Sequence, residues 1–397
     1  MATLVPPTSL PSLSIPASTS TVKVSVINTT TRIKLPAELM VSPSYPGFSQ
    51  LDAPAFSFLI EHPSSGRRIL FDLGVRKDQS NFAPRIKDMI QRPGWEITVE
   101  DNVADILKQA DVELDSVESI IWSHWHFDHT GDPSTFPSST SLIVGPGFKE
   151  NFLPAYPTNP DSPLLDSDFA NRSVQELSFP SSSLKMGRFQ ALDFFGDGSF
   201  YILSAPGHAI GHLIGLARTT TASSADEDRD KDTFILMGAD TCHHAGEFRP
   251  TPYLPLPRQI VPNPLHAHSP SHGHGYHHAP PPCPGALFEA ANRRGAQDPS
   301  GTSNKATTPF LGITIPADDP SKGVAHDPTA ALDSVDGLTE FDAHPHIFTA
   351  IAHDASLVDV VRFFPETAND WFEEGWRELA LWRFLGDLRG GVDGGER

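Results

Sequence analysis

Short runs of apolar residues separated by turn residues dominate much of the chain. Residues 22–36 are rich in β-branched side chains, and from Ala55 two apolar runs flank a turn at residues 63–66. This arrangement predicts a strand followed by a β-hairpin. The second arm of the hairpin closes with Asp72 and Gly74, so it also brings a carboxylate to the edge of the predicted sheet.

The same pattern continues along the chain with few helical interruptions. Apolar runs bounded by turn residues predict strands at residues 119–122, 141–144, 190–195, 200–203, 213–217, 234–237 and 347–352. Apolar residues at helical spacing predict helices at residues 103–110, 357–363 and 370–388. In the last of these helices, Trp371, Trp376 and Trp382 are expected to pack on the core. The middle of the chain is therefore expected to be mostly β-structure.

Three segments depart from this pattern. Residues 1–20, rich in Ser, Thr and Pro, are expected to be a flexible leader, and the charged run at residues 223–232 predicts an exposed hairpin loop. Residues 250–342 are rich in Pro, Gly, Ser and His, a composition that does not bury enough apolar surface to order throughout. We therefore expect residues 21–397 to form one domain with a partly mobile insertion at about 250–342, which is a candidate lid.

The charge balance limits the classes of partner. The 397 residues include 49 acidic and 29 basic side chains, a net charge of -20, which disfavours binding to a phosphate backbone. Residues 1–20 do not resemble a signal peptide, and no stretch of the sequence is long and apolar enough to cross a bilayer. The two cysteines, Cys242 and Cys283, imply no disulfide framework. We therefore expect a cytoplasmic protein that acts on a small molecule, with no nucleic-acid or membrane partner and an oligomeric state that the sequence does not specify.

Four potential metal ligands follow the predicted strand at residues 119–122, namely His124, His126, Asp128 and His129. Imidazole and carboxylate are ligands that Zn²⁺ accepts, and a catalytic zinc site needs three protein ligands and one open position. Four ligands in one loop exceed what one open site requires. The loop therefore suggests two metals, with His124 and His126 on one and Asp128 and His129 on the other.

The stretch at residues 124–129 resembles the HxHxDH signature of the metallo-β-lactamase superfamily, and the other marks of that superfamily follow in order. They are an Asp that closes an early strand (Asp72), a His in a Pro-Gly-His turn (His208), an Asp that ends a later strand (Asp240) and a His that ends the last core strand (His353). The resemblance implies an α+β, four-layer αββα sandwich with two zinc ions at one edge of its sheets.

The resemblance also implies a role for each of these side chains. The first metal would be bound by His124, His126 and His208, the second by Asp128, His129 and His353, and both by a bridging Asp240. Asp72 would lie behind the ligands and orient them.

The reaction that the resemblance implies is hydrolysis by a metal-bridging hydroxide, because zinc lowers the pKa of its bound water towards about 7. The carboxylate at position 240 and the late His353 are similar to those of lactonases and glyoxalase-type hydrolases. Lactonases of this group carry a Tyr three residues after the bridging Asp, where this chain has His243. Residues 243–250 look more like a fungal-type branch, some members of which open lactams or small lactones. We therefore predict cleavage of a lactone, lactam or ester, with Asp128 passing a proton to the leaving group and His243 stabilising the oxyanion.

Several alternatives stay open at this point. A phosphodiesterase or thioesterase of the same superfamily would share the metal site, and an iron-dependent oxidoreductase relative would bind iron instead of zinc. The histidines between residues 266 and 278 are not expected to form a functional metal site, because their Pro- and Gly-rich segment lacks a regular element to fix ligand geometry. Cys242 is expected to be a small buried residue, and His212 is expected to be structural.

Overall fold

The computed structural model describes residues 2–180, 184–222, 231–266, 280–296, 303–319 and 323–392. Within them the strands are β1 (Lys23–Pro36), β2 (Val41–Ser42), β3 (Gln50–His62), β4 (Arg67–Phe71), β5 (Glu96–Thr98), β6 (Val117–Ile121), β7 (Ser141–Val144), β8 (Val174–Glu176), β9 (Leu184–Met186), β10 (Phe189–Asp193), β11 (Phe200–Ser204), β12 (Leu213–Thr220), β13 (Thr233–Ala239), β14 (Gln259–Ile260), β15 (Cys283–Pro284), β16 (Gly312–Ile313) and β17 (Ile347–Ile351). The α-helices are α1 (Pro84–Ile90), α2 (Val103–Gln109), α3 (Phe127–Thr130), α4 (Phe148–Phe152), α5 (Asp166–Phe169), α6 (Gly285–Ala291), α7 (Arg293–Ala296), α8 (Pro328–Asp342) and α9 (Trp376–Ala380).

Two large sheets contain most of these strands. The first has the strand order β5-β1-β3-β4-β6-β7-β8, and the second has the order β17-β13-β12-β11-β10-β9. The pairs β4/β6, β6/β7, β7/β8 and β13/β17 are parallel, and the other neighbours are antiparallel. The predicted hairpin is confirmed: β3 and β4 pair across residues 63–66, and the N–H of Gly66 donates to the carbonyl of His62 at 2.9 Å.

Strand β3 shows how the layers are built. Successive side chains of a strand point to opposite faces, so Phe58 lies in the cluster between the two sheets, whereas Leu59 packs in a second cluster with Leu107 of α2. On the outer side of the second sheet, Leu338 of α8 is buried in a third cluster with Leu236 of β13. Each such buried side chain contributes roughly 1.5–3 kcal/mol of burial free energy. The layer order is helix, sheet, sheet, helix, which confirms the expected αββα sandwich.

The C-terminal segment contains less helix than its apolar spacing predicts. The helix predicted at residues 370–388 is limited to α9, which Gly375 precedes in a left-handed conformation with a φ of +66°. The helix predicted at residues 357–363 is wrong, because only a short 3-10 turn forms at Ala355–Leu357. Beyond it, the N–H of Phe364 donates to the carbonyl of Val26 in β1 at 2.7 Å, so pairing with the sheet replaces helical hydrogen bonding.

The structure corrects the extent of the insertion expected at residues 250–342. Its last fifteen residues form α8, which packs on the second sheet. The helix begins at Pro328, and the side chain of Asp327 caps it by accepting the N–H groups of Thr329 and Ala330. Phe288 and Phe310, also within 250–342, are completely buried. Of the histidines at 266–278, His266 is exposed and the others lie outside the described residues, as do residues 223–230 of the predicted charged loop.

The first twenty residues also differ from the expected flexible leader. From residue 2 onwards they lie against the domain: the N–H of Leu4 donates to the carbonyl of Leu256 at 2.8 Å, and the N–H of Thr8 donates to Pro252 at 2.9 Å. Leu13 is buried in the same cluster as α8. Of the helices in the described part of the chain, none is both long and apolar enough to cross a membrane.

Candidate metal centre

The directions of the strands bring the ligand-bearing loops to one edge of the sandwich. The parallel pairs β4/β6 and β13/β17 each place the ends of two strands at the same edge. Asp72 follows β4, the loop at residues 123–129 follows β6, Asp240 follows β13 and His353 follows β17. The backbone N–H of Leu213 donates to the first carbonyl of that loop at 2.8 Å, which joins the two sheets beside the ligands.

Asp72 fixes the conformation of the loop at residues 123–129. Its Oδ1 accepts the backbone N–H of Ser123 at 2.7 Å, and its Oδ2 lies 2.9 Å from Nδ1 of His129. Asp72 has a φ of +61°, in the left-handed region that non-glycine residues rarely adopt. The carboxylate accepts the Nδ1–H of His129 and so leaves Nε2 of that ring facing Asp240.

The N-terminal end of α8 holds the turn that carries His208. The N–H of His326 donates to the carbonyl of His208 at 2.9 Å, and the N–H of Asp327 donates to the carbonyl of Gly207 at 2.8 Å. Gly207 has a φ of +121°, and a Cβ at this position would lie 2.0 Å from the backbone nitrogen of Ala331. Only glycine therefore allows the turn to approach α8 this closely.

His212 connects the His208 turn to Asp240. Its Nδ1 lies 2.8 Å from the carbonyl oxygen of Ala205, and its Nε2 lies 3.2 Å from the backbone nitrogen of Asp240. The ring therefore donates from Nδ1 and accepts at Nε2, which is a neutral imidazole. Burial lowers the pKa of His212 to about 4, in keeping with this form. His212 is a structural residue that ties two ligand-bearing segments together.

Three imidazoles form the first ligand cluster. Nε2 of His124 lies 2.9 Å from Nδ1 of His126, and Nε2 of His208 lies 3.2 Å from the first and 3.0 Å from the second of these atoms. Burial is the largest cause of a lowered pKa in all three rings: it takes the pKa of His126 to about 4 and those of His124 and His208 well below the usual value. Neutral imidazole nitrogens therefore face one another across a space that a cation fits.

Asp240 connects this cluster to a second one. Its Oδ2 lies 3.6 Å from Nε2 of His124 and 3.4 Å from Nε2 of His208, whereas its Oδ1 lies 3.1 Å from Nε2 of both His129 and His353. The second cluster is completed by Asp128, whose Oδ2 lies 3.4 Å from Nε2 of His353. Each oxygen of Asp240 therefore serves one cluster, which is the geometry of a bridging carboxylate.

His353 is oriented from behind by the backbone. Its Nδ1 lies 2.7 Å from the carbonyl oxygen of Pro54, which fixes a proton on Nδ1 and leaves Nε2 directed at the cluster. This carbonyl on β3 is a partner that nothing in the sequence around residue 353 indicates.

The donor atoms fit a pair of divalent cations. In each cluster the ligand atoms lie within 4.8 Å of one another, and all are imidazole nitrogens or carboxylate oxygens. Among the described residues, Nε2 of His129 and Oδ1 of Asp240 are buried without a hydrogen-bond partner. A buried polar atom costs free energy unless it is satisfied, and metal coordination would satisfy both atoms.

Electrostatics at the centre also favours a positive charge. Burial opposes the ionisation of Asp240, but the facing imidazoles of His129 and His353 outweigh it and hold the pKa of the carboxyl well below its usual range. Burial likewise opposes protonation of His129, yet Asp240 and Asp72 raise its pKa well above the usual value. The two carboxylates thus stabilise positive charge between them, which suits a bound cation.

A cavity of about 380 Å³ opens onto the two clusters. Its lining combines metal-centre residues with an apolar wall and two arginines: Ile33, Leu35, Leu39, Met40, Leu51, Ala53, Arg85, Ile86, Met89, Arg92, Trp95, Trp125, His126, Phe127, Asp128, His208, Asp240, His243, Gly323, Val324 and His353. Gly323 and Val324 are the lining residues that the described parts of 250–342 supply. More than half of these lining residues come from residues 33–95, which include β1, β3 and α1 and which the sequence did not identify as part of the site.

His243 lies at the metal end of this cavity. Its Nε2 is 3.4 Å from Oδ2 of Asp240, and its ring is parallel to that of His353. Its position is fixed by Glu247, whose Oε1 accepts the backbone N–H groups of His243 and His244 at 2.6 and 2.9 Å. Cys242 is fully buried, and burial raises the pKa of its thiol well above the usual value, in keeping with the expected structural role.

Comparison with known sequences decides the family. The sequence profile of the metallo-β-lactamase superfamily matches residues 52–217. Gamma-lactamase FDB1 of Fusarium pseudograminearum is 44% identical over 384 residues, which cover 95% of this chain and 85% of that protein. Metallo-hydrolase mfmC of Annulohypoxylon moriforme is 41% identical over 390 residues, which cover 95% of this chain and 90% of that protein. The chain belongs to the metallo-β-lactamase superfamily. It is accordingly a metal-dependent hydrolase.

Solved structures of the metallo-β-lactamase superfamily share the fold. A crystal structure of a Bacillus thuringiensis AiiA mutant, with N-decanoyl-L-homoserine bound at the active site, aligns with a TM-score of 0.52 and covers 88% of this chain and 99% of that one. The sequence identity is 17%, so this likeness speaks for the fold alone.

The structure brings together all seven side chains that the resemblance implied as ligands: His124, His126, Asp128, His129, His208, Asp240 and His353. It places Asp72 behind His129, as expected. The hydrogen bonds of His212 and the position of α1 in the cavity wall were not predicted from the sequence. For α1 a signal was present, because Pro84 precedes apolar residues at helical spacing.

Proposed function

We propose that this superfamily member is a zinc-dependent hydrolase that cleaves a lactam, lactone or ester bond of a small molecule. The observation that carries the proposal is the position of Asp240, whose two oxygens face two ligand clusters beside an apolar cavity. The relative named a gamma-lactamase, which aligns over nearly the whole chain, supports a lactam or a related carbonyl substrate.

Two zinc ions would be held by the two clusters that share Asp240. The first would be bound by His124, His126, His208 and Asp240, and the second by Asp128, His129, His353 and Asp240. When bound, zinc supplies Lewis-acid polarisation of a carbonyl group and makes water acidic enough to act as a nucleophile near neutral pH. Asp72 and the carbonyl of Pro54 each hold a proton on Nδ1 of their histidine, so Nε2 of His129 and of His353 would be free to bind the second ion.

Asp128 is the residue we propose for proton transfer. Its carboxylate lines the cavity. The side chain of Asp128 is 13% exposed, compared with 7% for the side chain of His353 that it faces. A carboxylate that reaches both the centre and the cavity can take a proton from the attacking water and give it to the leaving oxygen or nitrogen. General acid–base catalysis of this kind contributes about 10²–10⁴-fold in rate.

His243 is the residue we propose for stabilising the oxyanion. Its Nδ1 is buried without a hydrogen-bond partner among the described residues, so the tautomer with hydrogen on Nε2 avoids an unpaired buried N–H. Nε2 then donates on the side of the ring that faces Asp240 and the cavity. A donor in this position would bind the negative charge that develops on a carbonyl oxygen.

The decisive experiment is a substrate panel assayed with wild type, Asp128→Asn, His243→Phe and the exposed control Asp115→Asn. The panel contains a γ-lactam, a γ-lactone, an aryl ester, a thioester and bis-(p-nitrophenyl) phosphate. We expect turnover of a carbonyl substrate that falls at least about a hundredfold in Asp128→Asn and is unchanged in Asp115→Asn.

Other outcomes would contradict the role of Asp128, the type of bond cleaved or the identity of the metal. If Asp128→Asn keeps its metal and its full rate, the role of Asp128 is wrong. Turnover of the phosphodiester alone would make the protein a phosphodiesterase, and turnover of the thioester alone would make it a thioesterase. Iron instead of zinc in the active preparation would favour the oxidoreductase alternative.

We also infer a cytoplasmic enzyme that binds neither nucleic acid nor membrane. The net charge of -20 disfavours binding to phosphate groups, and Cys242 and Cys283 are both free thiols, as is usual in a reducing compartment.

A further inference from the structure

Helix α1 presents two arginines to the cavity. The helix begins with Pro84 as its first residue, and Arg85 and Met89, four residues apart, lie on one face of it. Arg92 follows one turn later, and all three side chains line the cavity. Lys87, on the same helix, is not among the lining residues. The cavity is therefore positively charged along one wall although the chain is strongly acidic.

These two arginines differ from the nine arginines that form ion pairs within the described residues. The sequence contains 49 acidic side chains for 29 basic ones, so potential partners are abundant. Arg67, Arg188 and Arg249 each pair with a carboxylate. Within the described residues, Arg85 and Arg92 make no such ion pair, and both are exposed at the cavity. Their guanidinium groups are thus available to a ligand.

Two acidic groups among the described residues line the same cavity. They are Asp128 and Asp240, which belong to the metal centre. The rest of the lining is largely apolar and includes Leu39, Ile86, Trp95 and Phe127. The cavity therefore combines a metal centre, an apolar surface and two cationic groups, an arrangement that fits one molecule with three corresponding parts.

We propose that the substrate is an apolar molecule with a carboxylate separate from the bond that is cleaved, and that Arg85 and Arg92 bind this carboxylate. Guanidinium groups suit this role, because they form paired charge-assisted hydrogen bonds to carboxylates and stay charged at every physiological pH. The proposal rests on the proposed hydrolase function of the metal centre in the same cavity. It adds a substrate class and two specificity-determining residues.

A kinetic experiment compares acidic and neutral substrates of equal length. The acidic substrates are the mono-p-nitrophenyl esters of glutaric, adipic and suberic acids, and the neutral ones are p-nitrophenyl alkanoates of the same chain lengths. We expect wild type to cleave at least one acidic ester with a higher kcat/KM than the neutral ester of the same chain length. Arg85→Gln and Arg92→Gln should each reduce that preference about tenfold, mainly through KM, because the contact is made equally in ground and transition states. Lys87→Gln, which removes a charge from the same helix outside the cavity, should leave the preference unchanged.

A binding experiment gives the same comparison without catalysis. Suberate and octanoate are titrated against the zinc-loaded protein, with the fluorescence of Trp95 and Trp125 in the cavity as the signal. Either ligand can place one carboxylate on zinc, so only the second carboxylate of suberate distinguishes them. We expect tighter binding of suberate in wild type, and this difference should disappear in the double variant Arg85→Gln/Arg92→Gln but persist in Lys87→Gln.

The two experiments separate this proposal from the hydrolase proposal. If none of the esters is cleaved but suberate binding depends on the two arginines, the carboxylate site stands and the hydrolysis of esters fails. If esters are cleaved and both arginine variants keep the wild-type ratio of acidic to neutral kcat/KM, the carboxylate site is contradicted while the hydrolase function stands. A preference for the neutral partner at every length would also contradict it.

Discussion

Nε2 of His212 accepts a hydrogen bond from the backbone N–H of Asp240 at 3.2 Å. The same ring donates from Nδ1 to the carbonyl of Ala205 at 2.8 Å, just ahead of the turn that carries His208. One neutral imidazole thus sets the separation of two proposed metal ligands, His208 and Asp240, that lie on different loops of the second sheet. Its effect on the metal is indirect, through the positions of those ligands.

His212→Ala is therefore expected to weaken zinc binding, although His212 touches no metal. Loss of a residue that orients ligands typically costs 10- to 100-fold in metal affinity. The measurement is the zinc Kd by competition with a chelator. The exposed His266→Ala serves as the matched control and should bind zinc as wild type does. Equal affinity in His212→Ala would show that the two loops hold their positions without the ring.

Asp72→Asn is expected to weaken the second metal site more than the first. Asp72 accepts the Nδ1–H of His129, and an amide nitrogen at this position would oppose that N–H and favour rotation of the ring. Stepwise zinc titration should show one site weakened by about 10- to 100-fold and the other little changed. Asp115→Asn, on the surface, is the control. Two equally weakened sites would instead indicate collapse of the whole loop.

Gly207→Ala is expected to destabilise the fold and displace His208. The new Cβ would lie 2.0 Å from the backbone nitrogen of Ala331 in α8, in addition to the strain of a φ of +121°. Gly66→Ala is a matched control, because Gly66 also has a positive φ, of +72°, with nothing within 4 Å of the new Cβ. The control should lose roughly 1–2 kcal/mol of unfolding free energy from backbone strain. Chemical denaturation that shows equal losses in both variants would rule out the close contact with α8.

Asp168 is expected to make stability depend on pH. Burial raises the pKa of its carboxyl to about 7, against the opposing effect of Arg76, whose Nη1 lies 3.7 Å away. Because the folded pKa exceeds the unfolded one, the contribution of Asp168 to stability is complete below pH 4 or so and is lost as the pH rises through about 7.

Asp168→Asn removes this titration. Compared with the variant, wild type should lose up to about 3 kcal/mol of unfolding free energy between pH 5 and pH 8, because the folded pKa of about 7 lies roughly two pH units above the start of this range. Denaturant unfolding of both proteins at each pH measures the difference, in which the other titrating groups cancel. A difference that stays constant from pH 5 to pH 8 would contradict the raised pKa.

The convergence of the candidate ligands was predictable because they lie close to strand ends that the apolar pattern reveals. Asp72, the 124–129 loop, Asp240 and His353 all follow such ends, and strand direction brings them together. Partners distant in sequence were not predictable. The bond from His353 to Pro54 crosses from the second sheet to the first, and no local pattern around either residue specifies it.

Composition also misled the prediction about residues 250–342. The segment was judged by its average content of Pro, Gly and Ser, so the start of α8 at Pro328, with Asp327 as its N-cap, was not predicted. This helix holds the His208 turn. The cavity walls were missed for a related reason. Arg85 and Arg92 belong to a short helix followed by a turn, and only the tertiary structure places that helix beside a metal centre that begins at His124.

The most direct test of the dinuclear centre is the number of zinc ions bound per chain, measured by mass spectrometry of the metal content together with the hydrolysis rate. The bridging position of Asp240 predicts two zinc ions in wild type. It also predicts that Asp240→Ala loses affinity at both sites and the hydrolytic activity with them. Wild type that is fully active with one zinc ion, or an Asp240→Ala variant that keeps two ions and its rate, would contradict this account.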